Sequence, residues 1–139
     1  YLTEMWEDSI MPDEEGITPQ GLGAPNVRAY RELENTTALQ VNGLFKLTPV
    51  WKVFASFTYV MATQPVFAWT AAGPNLAKSA NDLGWEVDFK TDYNIFDNLV
   101  LTYRIGYFKP GTAAMYLING TDQFDKSPWE MKAEITFAF

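Results

Sequence analysis

The sequence predicts an all-β chain, an antiparallel meander of five strands. Three observations predict it. Apolar and polar residues alternate through five segments, so each segment gathers its charges on one face, because successive side chains of a strand point to opposite sides. The connections between those segments alternate long and short. The last eleven residues, Trp129 to Phe139, alternate without interruption and stop on an aromatic.

Residues 1–36 show no sustained period and carry Pro12, Pro19 and Pro25 with Gly16, Gly21 and Gly23. They read as a long polar loop. The first strand is expected over about 39–47, with Leu39, Val41, Gly43, Phe45 and Leu47 opposing Gln40, Asn42, Leu44 and Lys46. Thr48-Pro49-Val50 makes a short connection to a second strand over about 51–63. One face of that strand carries Lys52, Ser56 and Thr58 beside Phe54 and Val60. Residues 65–81 read as a second long loop, in which Phe67 and Trp69 could fold inward, stack on sugar rings or simply pack locally.

The third strand, about 83–95, has the clearest pattern. Trp85, Val87, Phe89, Thr91, Tyr93 and Ile95 share one face, and Glu86, Asp88, Lys90, Asp92 and Asn94 share the other. A tight turn through Asp97 and Asn98 leads to the fourth strand, about 99–108, where Arg104 and Thr102 oppose Leu101, Tyr103, Ile105 and Tyr107. One register of this hairpin sets Asp92 directly across from Arg104. Residues 111–126 read as a third long loop from their Gly, Asn and Asp content. The fifth strand, 129–139, puts Trp129, Met131, Ala133, Ile135, Phe137 and Phe139 on one side. Glu130, Lys132, Glu134, Thr136 and Ala138 lie on the other.

The composition excludes several kinds of chemistry. The 139 residues contain no Cys and no His, so Ser-His-Asp and Cys-His catalysis, thiolate metal sites and disulfide frameworks are all absent. The pattern calls for no cofactor and no metal, and Asn119, Asp122 and Asp125 lack the spacing of a dedicated calcium loop. The acidity is local: residues 1–36 hold eight acids against Arg28 and Arg31, a net of −6, and the remainder carries nine acids and eight bases, a net of −1. Nucleic acid is not an expected partner of such a surface. Asn35-Thr36-Thr37 and Asn119-Gly120-Thr121 match the glycosylation pattern without functional weight here. The chain begins at Tyr1 without an initiator Met or signal peptide, and is expected to be the carboxy-terminal part of a longer precursor.

A strand of roughly 9–11 residues, tilted, crosses a bilayer, and such strands evade hydropathy profiles because half of each is polar. In that setting the ten Phe, seven Tyr and five Trp acquire a role. Trp85, Tyr107 and Trp129 fall at one set of strand ends and Trp51, Tyr93 and Phe139 at the other, where amphipathic rings settle at membrane interfaces. Register is strongly specified, because slipping the third strand by one residue would turn Glu86, Asp88, Lys90 and Asp92 toward lipid. A single Lys at the midplane costs roughly 2–4 kcal/mol.

With these residues, the chain over 37–139 resembles bacterial outer-membrane β-barrels of the porin type. Its stretch LGWEVDFKTDYNIFDNLVLTYRIGYFKPG looks like a hairpin of porins related to the alginate-export barrels, with a DNL turn before a GY strand end. The resemblance implies that the five strands are the carboxy-terminal portion of a larger up-and-down barrel. It implies that Ile135, Phe137 and Phe139 form the assembly signal read by the outer-membrane insertion machinery. It also implies location in the bacterial outer membrane, with lipid bilayer as surroundings and missing amino-terminal strands as partners. With Phe139 at the periplasmic end, the short turns face the periplasm and residues 1–36, 65–81 and 111–126 face outward. Five strands alone leave two open edges, which hydrocarbon does not tolerate.

The function expected is passage of small hydrophilic solutes through a lumen lined by Lys46, Lys52, Glu86, Asp88, Lys90, Asp92, Arg104, Glu130, Lys132 and Glu134. The bland account of those ten residues is that they satisfy one another inside a narrow or plugged barrel. The alternative function is a structural or interaction barrel, an anchor, adhesin or sheath without an open pore, with the acidic 1–36 segment as a possible binding surface. Enzymatic activity is not expected. Glu86 and Asp88 share a face as an acid/base pair could, but no nucleophile completes a site.

Overall fold

A computed structural model describes residues 35–123 and 126–139. The expected acidic loop over 1–36 therefore lies outside the described residues except for Asn35 and Thr36. The described chain is all-β with one short helix: β1 (Thr36–Thr48), β2 (Trp51–Thr70), β3 (Gly73–Phe96), β4 (Leu99–Pro110), α1 (Thr112–Asn119) and β5 (Trp129–Phe137). The strands form a single sheet in chain order, every neighbour antiparallel. The meander of five strands is thus present in the expected order. Because it has five strands, β1 and β5 run the same way and occupy its two open edges.

The sheet is turned inside out relative to a soluble protein. Leu39, Val41, Phe45, Phe57, Val87, Phe89, Tyr103, Ile105, Met131, Ile135 and Phe137 are all exposed on one face. Thr58, Glu86 and Asp88, on the other face, are at most 2 % exposed. A water-soluble sheet with one solvated side shows the reverse alternation, apolar inward and polar outward. The facing expected from the sequence is the facing observed.

Three features differ from expectation. Residues 65–81 are not a loop, because β2 and β3 continue past the five-strand body as a two-stranded ribbon that turns at Ala71 and Ala72. The sequence pattern hides this ribbon because its pairing shifts register three times, between Val60 and Met61, Met61 and Val66, and Phe67 and Ala68. Each shift breaks the alternation that would reveal a strand. The backbone groups freed at the widest shift are met by side chains. Asn81 Nδ2 donates to the Ala62 carbonyl at 2.9 Å, and Asn35 donates to the Gln64 carbonyl at 3.0 Å.

Second, residues 111–126 are not a loop throughout, since Thr112–Asn119 form α1. Its ends are Gly111 and Gly120, and the Gly120 N–H donates to the Tyr116 carbonyl at 3.0 Å, closing the helix in the left-handed conformation that glycine adopts freely. Third, Asp92 does not face Arg104. The register sets Lys90 opposite Arg104 and Asp92 opposite Thr102, whose hydroxyl donates to Asp92 Oδ1 at 2.7 Å. Asp97 and Asn98 alone make the connection, with Phe96 paired to Leu99 and a one-residue shift between Asn94 and Phe96 before the regular pairing begins.

The buried apolar cluster sits where α1 lies on the polar face. Val60 and Ala62 of β2, Leu83 of β3, Phe108 of β4 and Ala113 and Ala114 of α1 pack together, with Val66, Ala80 and Leu117 at the margin. Leu83 reaches this cluster through a bulge, because Val60 pairs with Gly84 and Met61 with Asp82, leaving Leu83 unopposed. Gly84 has φ +136°, and a Cβ there would lie 2.3 Å from the Lys109 carbonyl oxygen. The bulge and the close approach of β4 both require glycine at this position.

Candidate functional site

The polar face is the candidate site, and the register orders its side chains into rows across the strands. One row is Gln40, Thr58, Glu86 and Phe108; the next is Asn42, Ser56, Asp88, Gly106 and Glu130. Then follow Leu44, Phe54, Lys90, Arg104 and Lys132, and after them Lys46, Lys52, Asp92, Thr102 and Glu134. All ten charged residues singled out in the sequence fall on this one face.

The rows bring together what sequence spacing keeps apart. Lys90, Arg104 and Lys132 are direct cross-strand neighbours, three cations side by side. Like charges directly opposite destabilise a sheet unless other groups offset them. Acids one row away on the same strands supply that offset. Lys90 Nζ lies 3.2 Å from Asp92 Oδ2, and Lys132 Nζ lies 3.1 Å from Glu130 Oε1. Lys46 and Lys52 form a second cation pair, directly opposite each other at the β1–β2 end of the next row. The face is therefore banded: a carboxylate row, a cation row across β3 to β5, and a mixed row.

Neutral hydrogen bonds tie the bands together. Ser56 donates to Asp88 Oδ2 at 3.1 Å and Gln40 Nε2 donates to Thr58 at 2.9 Å. Asn42 donates to Gln40 Oε1 at 3.1 Å. Glu86 and Asp88 are both buried on this face, and Asp88 accepts the Ser56 hydroxyl.

α1 closes over one end of the polar face, and both its ends are held by distant residues. The Thr112 N–H donates to the Asp82 carboxylate at 2.9 Å, which places a negative charge at the helix N-terminus. At the other end, the Trp69 indole N–H donates to the Tyr116 carbonyl at 2.6 Å, and the Trp69 backbone N–H donates to the Gly120 carbonyl at 3.0 Å. Trp69 thus packs against the α1 terminus, the local role that was one of its three sequence-based readings. Phe67 is exposed on the ribbon. Lys78 lies 3.8 Å from Asp122, whose carboxyl is held below its usual value first by the Gln123 side-chain amide, then by its own backbone N–H and by that ammonium.

The apolar face carries aromatic contacts at both ends of the strands. Trp85 stacks against Tyr107 at 5.7 Å and against Phe57 at 6.1 Å, with Tyr107 paired to Trp129. At the opposite end Trp51 meets Tyr93 edge-on at 6.4 Å and its indole donates to Thr91 at 2.7 Å. Phe139 lies beyond the last residue of β5, with its ring 5.9 Å from that of Phe137. Ile135 and Phe137 are both in β5 on this face, opposite Leu101 and Leu99.

Sequence reasoning missed α1, Asp82 and Lys109. For α1 a signal existed: Ala113, Ala114, Met115 and Leu117 are strong helix formers between two glycines. Asp82 had none, because its role depends on a contact thirty residues away. Lys109 continues the β4 alternation onto the apolar face, one step past Tyr107.

Among the described residues no helix is long and apolar enough to cross a membrane, a test that does not address strands. No protein-family model, curated protein or solved structure matches this chain.

Proposed function

We propose that this chain is the carboxy-terminal five-stranded segment of an outer-membrane β-barrel of the porin type, and that the barrel passes small hydrophilic solutes. The observation that carries the reading is the inverted sheet. A continuous apolar face is exposed across all five strands, and ten charged residues share the opposite face. A hydrocarbon exterior with a wet interior makes that arrangement favourable. The two open edges support the companion reading that further strands belong to the same barrel. As β1 and β5 run in one direction, antiparallel closure needs an odd number of additional strands.

In this reading the rows are rings of side chains along the pore wall. A solute passing inward meets carboxylates, then the cations Lys90, Arg104 and Lys132, then the mixed row of Lys46, Lys52, Asp92 and Glu134. Close-packed bands of opposite sign tune selectivity by setting up local fields. The partners are lipid, permeating solutes and the insertion machinery that would read Ile135, Phe137 and Phe139.

One observation favours the second reading, a structural or interaction barrel without an open pore. α1 occupies the polar face and buries Phe108 and Ala113 fully against the sheet, which narrows any lumen at that level. Single-channel recording of the full-length protein in planar bilayers separates the two. A stable open state with ohmic current supports the pore. Correct insertion with no current, in the wild type and in a variant lacking 112–119, selects the structural barrel.

A further inference from the structure

Within the five-strand body, charge is absent from the apolar face with a single exception. From the row of Trp51 and Tyr93 to the row of Tyr59 and Trp85, that face carries Val, Leu, Ile, Phe, Tyr, Trp, Met, Ala, Gly and Thr side chains only. The exception is Lys109, which pairs with Trp85 in the register and so closes the row Leu39, Tyr59, Trp85, Lys109. Its neighbour on the same face of β4 is Tyr107, whose ring packs on Trp85. The residues before and after it, Phe108 and Pro110, are buried toward the polar face and α1, which fixes the outward direction of Lys109.

Lys109 is half-buried, and among the described residues no carboxylate pairs with it. The opposite end of the apolar face has no cation. From Trp85 to Tyr93 is eight residues, about 26 Å along the strand, and a tilt near 40° reduces this to roughly 20 Å, close to the height of a barrel's apolar band. Lys109 therefore stands at one rim of that band, among the rings that mark an interface. A lysine there lays its methylene stem along apolar surface and lifts its ammonium into the headgroup layer. The counter-charge at that depth is lipid phosphate.

We propose that Lys109, flanked by Trp85 and Tyr107, forms a contact site for a phosphorylated lipid headgroup at the α1 side of the membrane. The site rests on the barrel reading above, whose band it borders. It would prefer anionic phosphate-bearing lipid in one leaflet, and so give the barrel a sidedness that the aromatic belts, present at both rims, do not.

The test uses the full-length protein in vesicles of phosphatidylcholine with a minor fraction of phosphatidic acid, followed by native mass spectrometry of the lipids retained. The wild type should hold phosphatidic acid in preference to phosphatidylcholine. Lys109→Gln should reduce that preference about fivefold, the worth of one lysine near a charged membrane surface. Lys109→Arg should keep it, and Lys78→Gln, on the ribbon beyond the rim, should leave it unchanged. Equal retention by Lys109→Gln and the wild type overturns the proposal. So does full competition by inorganic phosphate, which would assign the site to a free anion instead of a headgroup. Failure of the wild type to insert as protease-protected β-structure is read separately, and overturns the barrel reading together with the site.

Discussion

The five-strand body and the β2–β3 ribbon with α1 are built by different rules, although the same two strands run through both. In the body, pairing is continuous from Tyr59 and Trp85 down to Trp51 and Tyr93, and each residue's face follows from its place in the alternation. Beyond Gly84 the pairing shifts three times, and single contacts take over: Asp82 at the start of α1, Trp69 at its end, Asn81 on the Ala62 carbonyl. A repeating environment on each side of a sheet enforces a repeating sequence, whereas a segment without one is held by whichever side chains happen to meet.

That contrast can be broken first at the joint between the two regions. Phe108 is fully buried beneath α1. Phe108→Ala should cost about 3–5 kcal/mol in a urea titration of the detergent-folded protein. Amide exchange should quicken in 112–119 while β4 and β5 stay protected; uniform quickening of both would mean the regions are one cooperative unit.

Smaller, and specific to the body, is the effect of a charge on its apolar face. Phe89→Lys should destabilise the folded state in lipid by roughly 2–4 kcal/mol. The same change at Phe67, on the ribbon, should cost well under half of that. Equal costs at the two positions would remove the distinction in environment.

The locks on α1 sharpen the ribbon side. Asp82→Ala removes the carboxylate that receives the Thr112 N–H and should cost about 1 kcal/mol, the usual worth of a helix N-cap. Trp69→Phe removes the indole donor to Tyr116 and should cost about the same. Thermal melts of the two single variants and the double variant would show additivity if the two ends act independently.

The charged bands predict a functional change that stability measurements would not report. Replacing Lys90, Arg104 and Lys132 together by Gln should move the reversal potential of the open channel toward cation preference. The same replacement of Lys46 and Lys52 should move it less, because that row also holds Asp92 and Glu134. An unchanged potential in the triple variant would show that permeating ions do not pass this row.

The smallest effect is that of pH on the ribbon. Asp122 has its pKa depressed below 3.8 in the folded state, so its contribution is present above that value and is lost as pH falls through the folded pKa. Acidification through that depressed pKa should release Lys78 and Asp122 with a local change only, seen as faster exchange near 76–80 and absent in Lys78→Met. Between pH 5 and 8 this pair should add no slope to the melting temperature.

Much of the body is legible in the sequence because its physics is local. A period of two with Val87, Phe89 and Ile95 on one side and Glu86, Asp88 and Lys90 on the other determines strand, facing and approximate ends without reference to any partner. The two-residue turns at Pro49-Val50 and Asp97-Asn98 were equally readable, since short connections between long alternating runs leave little choice. The ten charged residues share a face for the same reason. Their neighbours across the sheet were not readable. The register that follows the Asn94–Phe96 turn sets Arg104 opposite Lys90, not Asp92, and so assembles three cations in a row. Only the tertiary structure decided that register, together with the ribbon beyond Gly84, the helix laid on the polar face and the position of Lys109 beside Trp85. Each of these depends on contacts between residues far apart in the chain, and alternation along one strand carries no information about what lies across from it.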